Sequence, residues 1–114
     1  MQYASITIGR NVKGKPMKST DWHLFKTAVC QVLTLNHFEL TVQNEGVGRW
    51  EGQSELNYHV SAIRSKPLTD KDVSDIRHEL SFWAWRFHQD AIAFATGQSD
   101  LVTEKEFFNQ EEAA

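Results

Sequence analysis

The side chains that could do chemistry fall into a few clusters. His59, in the triplet His59-Val60-Ser61, sits in an alternating segment among small polar residues. An imidazole changes charge near neutrality, so His59 is the group with acid–base potential. Arg10, Lys13, Lys15 and Lys18 share a short stretch with Gly9 and Gly14, just before a helix start. Glycines let a backbone approach an anion, and helix-end N–H groups can hold one. The spacing is neither a Walker loop nor a GxGxxG turn. Arg49 and Trp50 are adjacent, a pairing that suits stacking on a base and gripping its phosphate. Arg86 and Gln89 mark the end of a helix, where a cation also suits the dipole. His78, Phe82 and Trp85, spaced four and three apart, share one helical face; exposed aromatics of that kind suit a contact between copies of the chain.

Composition narrows what these groups can serve. The chain has 114 residues and a formal net charge of −3, which argues against a general nucleic-acid or membrane binder. Its length suits a single domain over residues 1–108 with a polar tail over 109–114. The lone cysteine, Cys30, excludes an internal disulfide and a CxxC metal knuckle, and it is expected to be a structural thiol. No signal peptide and no apolar run of membrane-spanning length are visible, so a cytoplasmic protein is expected. No cofactor motif and no metal-ligand spacing is present.

Elements must position these clusters. Residues 3–9 alternate, with Ala4, Ile6 and Ile8 on one face and Tyr3, Ser5 and Thr7 on the other, as a half-buried strand does. Residues 10–18 read as a loop. Ser19 or Thr20 offers a helix cap, and Trp22, Phe25, Val29, Val32 and Leu33 form the apolar stripe of a helix over about 20–35. Residues 38–43 and 49–51 and then 55–63 read as three strands of a meander, with a turn over 44–48. Thr69 with Asp72 predicts a capping box, and Val73, Ile76, Leu80, Trp83 and Phe87 the stripe of a second helix over about 70–88. Residues 90–96 read as a strand and 101–103 as an edge strand.

The predicted class is α+β: an antiparallel sheet with two helices on one face, in the ferredoxin-like order β-α-β-β-β-α-β. The uncovered face would then collect Ser5, Thr7, Thr41, Gln43, His59, Ser61, Ala91, Ala93 and Ala95. Alanines are poor strand formers in water, so this small-residue face leaves room for a second subunit or a ligand.

Several of these residues also fit a known pattern. Ile8-Gly9-Arg10, a helix with Trp22 and Phe25, Gly48-Arg49-Trp50, Glu55 and Arg86-Phe87-His88-Gln89-Asp90-Ala91-Ile92 together resemble an uncharacterised family of small bacterial domains. That family shows a Gly-Arg start, a Trp-x-x-Phe helix, a Gly-Gln-Trp strand and an Arg-Phe-x-Gln-Glu-Ser-Val ending. The chain departs at Arg49 and at Asp90-Ala91. The resemblance implies the fold order and singles out Arg10, Trp50, Glu55, Arg86 and Gln89; without an export signal the chain also resembles a phage or prophage product.

The function expected on these grounds is a small non-enzymatic binding protein. It would use Arg10, Lys13, Lys15, Arg49, Trp50, His59, Arg86 and Gln89 to sequester a small anionic or nucleotide ligand, as a phage counter-defence protein would, and would self-associate through His78, Phe82 and Trp85. One alternative is a small enzyme with His59 as general base. The other is a structural or interaction subunit.

Overall fold

Ala4, Ile6 and Ile8 are fully buried, while Tyr3 and Thr7 stay partly open, and this division fixes which way the first strand faces. The computed structural model describes residues 1–100 and 102–107, and of Trp50 the backbone. Its elements are β1 (Gln2–Gly9), β2 (Asn11–Val12), β3 (Lys15–Pro16), α1 (Ser19–Leu35), β4 (Glu39–Trp50), β5 (Gln53–Arg64), α2 (Asp70–Arg86) and β6 (Ala93–Gln98). The main sheet runs β4-β5-β1-β6, every pair antiparallel, and β2 pairs with β3 in a separate ribbon.

Both helices supply one core. Trp22, Phe25, Val29, Val32 and Leu33 from α1 and Ile76 and Leu80 from α2 join Ala4, Ile6, Ile8, Val60 and Ala62 of the sheet. Phe25 stacks on Phe87 with ring centroids 4.8 Å apart, closing the seam between the helices. The α+β class with two helices on one face of an antiparallel sheet is therefore as expected. The capping box forms in full, Thr69 accepting from the Asp72 N–H and Asp72 from the Thr69 N–H.

The three-strand meander is not formed. Residues 39–50 are one strand, paired to β5 from Glu39↔Ile63 out to Trp50↔Gln53, so the expected turn over 44–48 lies inside a long hairpin. The chain reverses at Glu51 and Gly52, whose φ values of 50° and 78° are both in the left-handed region, the pattern of a two-residue hairpin turn matched to strand twist. The expected loop over 10–18 likewise contains a small ribbon, turned at Lys13 (φ 50°) and Gly14 (φ 79°). Glycine marks the second turn position in both, which is the signal that separates them from the glycines inside β4.

A bulge explains a second difference. The register shifts between Leu40 and Val42, and Thr41 Oγ1 donates to the Ser61 carbonyl at 3.1 Å. Beyond it the faces of β4 exchange. Val42 lands opposite Ser61 on the uncovered face, half exposed, and Gln43 turns to the helix side, where it accepts from the Tyr58 hydroxyl at 2.7 Å. Burial pushes the Tyr58 phenol up, with Cys30 Sγ 3.0 Å away as its other partner.

Neither helix ends on glycine. After α1, His37 (φ 67°) precedes a Phe38 N–H that bonds back to Leu33 at 3.0 Å; after α2, His88 (φ 55°) precedes a Gln89 N–H that bonds back to Ala84 at 2.8 Å. Both are Schellman-type ends with histidine where glycine is usual. The N-terminal end of α1 also differs from expectation: Lys18 is the cap, without a side-chain bond.

The sheet end where β5 finishes is tied by Arg64, whose side chain is 3% exposed. Its guanidinium donates to the carbonyls of Lys66 (3.1 Å), Asn36 (2.9 Å) and Pro67 (2.7 Å) and to Asp72 Oδ2 (2.7 Å). This joins the end of α1, the end of β5 and the start of α2. Residues 102 and 103 are not in a strand, and residues 104–107 make one helical turn; the rest of the expected 101–103 strand, with Phe108 and the 109–114 tail, lies outside the described residues.

Candidate functional site

The opposite end of the sheet opens into a cleft of about 700 Å³. Its floor is Thr7, Ile8 and Gly9 at the end of β1, with Ala93 beside them. One wall is the β4–β5 arm, from Gly48 and Arg49 round to Glu55 and Asn57. The ribbon turn at Lys13 and Gly14 and the segment 88–92 after α2 complete it.

Gly9 decides where the most enclosed carboxylate sits. Glu55 lies against it so closely that a methyl group at position 9 would collide with the carboxylate. The same carboxylate accepts from the Asn11 N–H at 3.0 Å. Glu55 is thus held by backbone on two sides at the junction of β1, β2 and β5. Asn57, two residues along the same face, lies across Gly46 and Gly48, and a Cβ at Gly48 would again collide. Gln89, placed by the end of α2, donates to the Asn11 carbonyl at 3.2 Å and closes the cleft on that side.

Backbone strain concentrates here. Lys13, Glu51 and His88 are three of the four non-glycine residues with positive φ among the described residues, and all three line the cleft. Such conformations are uncommon away from glycine and persist only where the surroundings hold them.

The expected ligand-binding residues separate into two groups. Lys13, Arg49 and Gln89 line the cleft. Arg10 does not: its Nε donates to the Met17 carbonyl at 2.9 Å and its Nη2 to Ser19 Oγ at 3.3 Å, so it ties the ribbon to the start of α1. Lys15 is exposed on β3, and Arg86 leans over the Phe87 ring on the last turn of α2. His59 is on the uncovered face, bonded through Nδ1 to Thr7 Oγ1 at 2.8 Å and through Nε2 to Ser61 Oγ at 2.9 Å. Trp50 is at the tip of the arm, the last residue of β4. His78, Phe82 and Trp85 are exposed on α2, Trp85 at 72%. Asn11, Gln53 and Asn57 were not expected; their amides gain meaning only when β1, β2 and the arm converge, although Gly46 and Gly48 inside a strand are a signal of close approach.

The lining is also not basic. Glu51, Glu55 and Asp90 stand among Lys13 and Arg49, and among the described residues none of these five makes an ion pair.

Among the solved structures that share this fold are two of a phage SAM lyase. One, in the apo state, matches with a TM-score of 0.59 and 17% identity over 90% of each chain. The other, in complex with S-methyl-5'-thioadenosine, matches with a TM-score of 0.57 and 18% identity over 85% of this chain and 80% of that one. At such identity the likeness is one of fold. No family model and no curated protein matches the chain. The expectation of a non-enzymatic protein that sequesters an anion is corrected by this finding together with the mixed charge of the cleft: the fold is that of an enzyme in both neighbours. Among the described residues no helix is long and apolar enough to cross a membrane.

Proposed function

We propose that this protein is a phage-type lyase that cleaves S-adenosylmethionine and releases S-methyl-5'-thioadenosine. The observation that carries the reading is the cleft at the end of the sheet, in which Glu55 is fixed by Gly9 and by the Asn11 N–H. The proposed substrate has a sulfonium, an ammonium and a carboxylate, with an adenosine attached. A lining with both signs of unpaired charge suits it better than it suits an anion. Glu55 and Asp90 face the cations, Arg49 and Lys13 take the carboxylate, and Asn11, Gln53, Asn57 and Gln89 offer amides to the adenosine.

Cleavage breaks the bond between sulfur and the γ-carbon. The electron pair leaves on sulfur, and the sulfonium becomes a neutral thioether. A lyase adds no water, so the four-carbon fragment balances by closing through its own carboxylate or by losing a proton beside the breaking bond. A carboxylate beside a sulfonium stabilises the ground state more than a transition state in which that charge is fading. Glu55 is therefore given the task of placing the substrate, and the rate comes from holding the reacting atoms close. His59 is not assigned as the base, because both of its ring nitrogens are engaged by hydroxyls.

The test is to incubate the purified protein with S-adenosylmethionine and follow S-methyl-5'-thioadenosine by mass spectrometry. Release well above the protein-free rate is expected, falling about 100-fold in Glu55→Gln. Release no faster than in buffer would reject the lyase reading.

We also propose that the protein self-associates. Phe82 and Trp85 lie exposed on α2 with ring centroids 6.0 Å apart, neighbouring aromatic rings of the kind that are enriched at protein contacts, and the occupant proposed is a second copy. Light scattering should give more than the monomer mass, and Phe82→Ser with Trp85→Ser should reduce it.

A further inference from the structure

Three strand glycines surround one free amide at the cleft. Asn57 is paired with Gly9 of β1 on one side and with Gly46 of β4 on the other, and Gly48 is two residues further along β4 on the same face. A glycine inside a strand weakens it and marks a place where something approaches the backbone closely. Packing within the protein accounts for two of the three. The Glu55 carboxylate takes the space at Gly9, and Asn57 Nδ2 takes the space at Gly48, 2.4 Å from where a Cβ would stand. Gly46 is different. Apart from its chain neighbours, Asn57 Oδ1 alone among the described residues comes within 4 Å of its Cβ position, at 3.4 Å. The bare backbone there borders the acceptor end of the amide and has no occupant from the protein itself.

The neighbours of Asn57 on the same strand face are both engaged. His59, two residues on, has its ring nitrogens bonded to hydroxyls, and Glu55, two residues back, accepts from the Asn11 N–H. The half-buried Asn57 amide makes no hydrogen bond to any described residue. Of the other amides at the cleft, Asn11 stands beside the Glu55 carboxylate, Gln89 is bonded to the Asn11 carbonyl and Gln53 is exposed. A carboxamide offers a donor and an acceptor side by side. A purine with a 6-amino group offers the reverse, an N6–H donor beside the N7 acceptor, which is how asparagine reads adenine. A purine with a 6-oxo group presents two acceptors there and leaves Oδ1 facing an oxygen. Glu55 leans toward β1 and Asn57 toward β4, strands on opposite sides of β5 and about 10 Å apart. The proposed substrate is laid out in the same way, with its sulfonium at one end of the thioadenosine and its 6-amino group at the other.

We propose that Asn57 is the specificity-determining residue that reads the base. A purine lies over Gly46, gives its 6-amino hydrogen to Oδ1 and accepts at N7 from Nδ2, so the cleft takes adenosine ligands and turns away their 6-oxo counterparts. The assignment rests on the lyase reading for the identity of the ligand and adds to it the means of choosing the base. Glu55 anchors the cationic end and Asn57 the purine. The glycines have separate parts in this. A methyl at position 48 would push the amide off its place. A methyl at position 46 would meet Oδ1 only at ordinary contact distance, but it would lift any purine off the floor, whatever its 6-substituent.

The experiment has two arms, so that failure of this assignment and failure of the lyase reading are told apart. In the first, calorimetry gives Kd of the wild-type protein for S-methyl-5'-thioadenosine and for S-methyl-5'-thioinosine, its deaminated counterpart, with no need of turnover. The adenosine compound should bind about 30-fold more tightly, the worth of one bidentate pair. Equal binding, or binding of neither, overturns the proposal. Asn57→Leu, close to asparagine in volume, should bring the ratio near one by weakening the adenosine compound alone. Gly48→Ala should lower the ratio in the same direction, whereas Gly46→Ala should weaken both compounds and leave the ratio standing. A ratio that survives Asn57→Leu overturns the proposal. In the second arm, kcat/KM for S-adenosylmethionine is compared with that for S-inosylmethionine, and the same preference should appear. Selective binding without turnover of either rejects the lyase reading and supports Asn57 as the reader of the base. Turnover of both with equal kcat/KM keeps the lyase and overturns the role of Asn57.

Discussion

The two ends of the sheet treat charge in opposite ways. At one end Arg64 is buried, and its guanidinium is shared among three carbonyls and Asp72. At the other, Lys13, Arg49, Glu51, Glu55 and Asp90 surround open space with no ion pair among them. The first end joins three elements and leaves the cation nothing further to bind. The second holds Glu55 by backbone alone, with capacity to spare. Of the five, Glu55 is half-buried and the other four are exposed, so water rather than a protein partner meets their charges.

The largest effect should come from breaking the saturated end. Arg64→Ala strands the carbonyls of Asn36, Lys66 and Pro67 together with Asp72. A loss of about 3 kcal/mol is expected in urea unfolding; a loss within error of zero would mean that the joint is decoration. The open end should respond in the other currency. Gly9→Ala displaces the Glu55 carboxylate, the movable end of a side chain. Release of S-methyl-5'-thioadenosine should fall about 100-fold, with stability changed by only about 0.5 kcal/mol. If stability fell as far as in Arg64→Ala, the two ends would not differ in kind. The smallest effect should be one of pH. The Thr69 N–H and Arg64 hold the Asp72 carboxyl down at about 2. A depressed carboxyl stabilises the fold above the unfolded value of about 4 and ceases to do so as pH falls toward 2. Unfolding measured from pH 5 to 2 should therefore show a decline that Asp72→Asn lessens, while the cleft residues keep their behaviour at neutral pH.

Much of the fold was legible because it rests on local pattern. The stripes of α1 and α2 name the residues that are buried there, and Thr69 with Asp72 announces the start of α2. What was hidden depends on contacts far apart in the chain. Arg64 stands at the end of a strand with nothing local to say that Asn36, 28 residues away, would supply a carbonyl. Glu55 entered only through a resemblance, since its seat on Gly9 exists once β1 and β5 pair. Lys13 and Gln89 were singled out, but as parts of a basic site rather than of one in which Glu51, Glu55 and Asp90 take equal part. The bulge escaped because the alternating pattern over 38–43 reads smoothly straight through Thr41.

That bulge sets a rule of parity for the arm. Residues before Thr41 and residues after it belong to opposite phases of the same strand. Deleting Thr41 would only straighten the strand, because Leu40 and Val42 already oppose successive residues of β5; a one-residue slip of the pairing beyond the bulge would instead turn Val47 and Arg49 toward Asn57 in place of Gly46 and Gly48, where there is no room for a side chain as large as a methyl at position 48. Pairs of residues added or removed at the tip, one on each strand, would lengthen or shorten the arm without that inversion. The wall of the cleft can thus vary in reach while its inner face stays constant, and a single-residue slip anywhere between the bulge and the tip closes it.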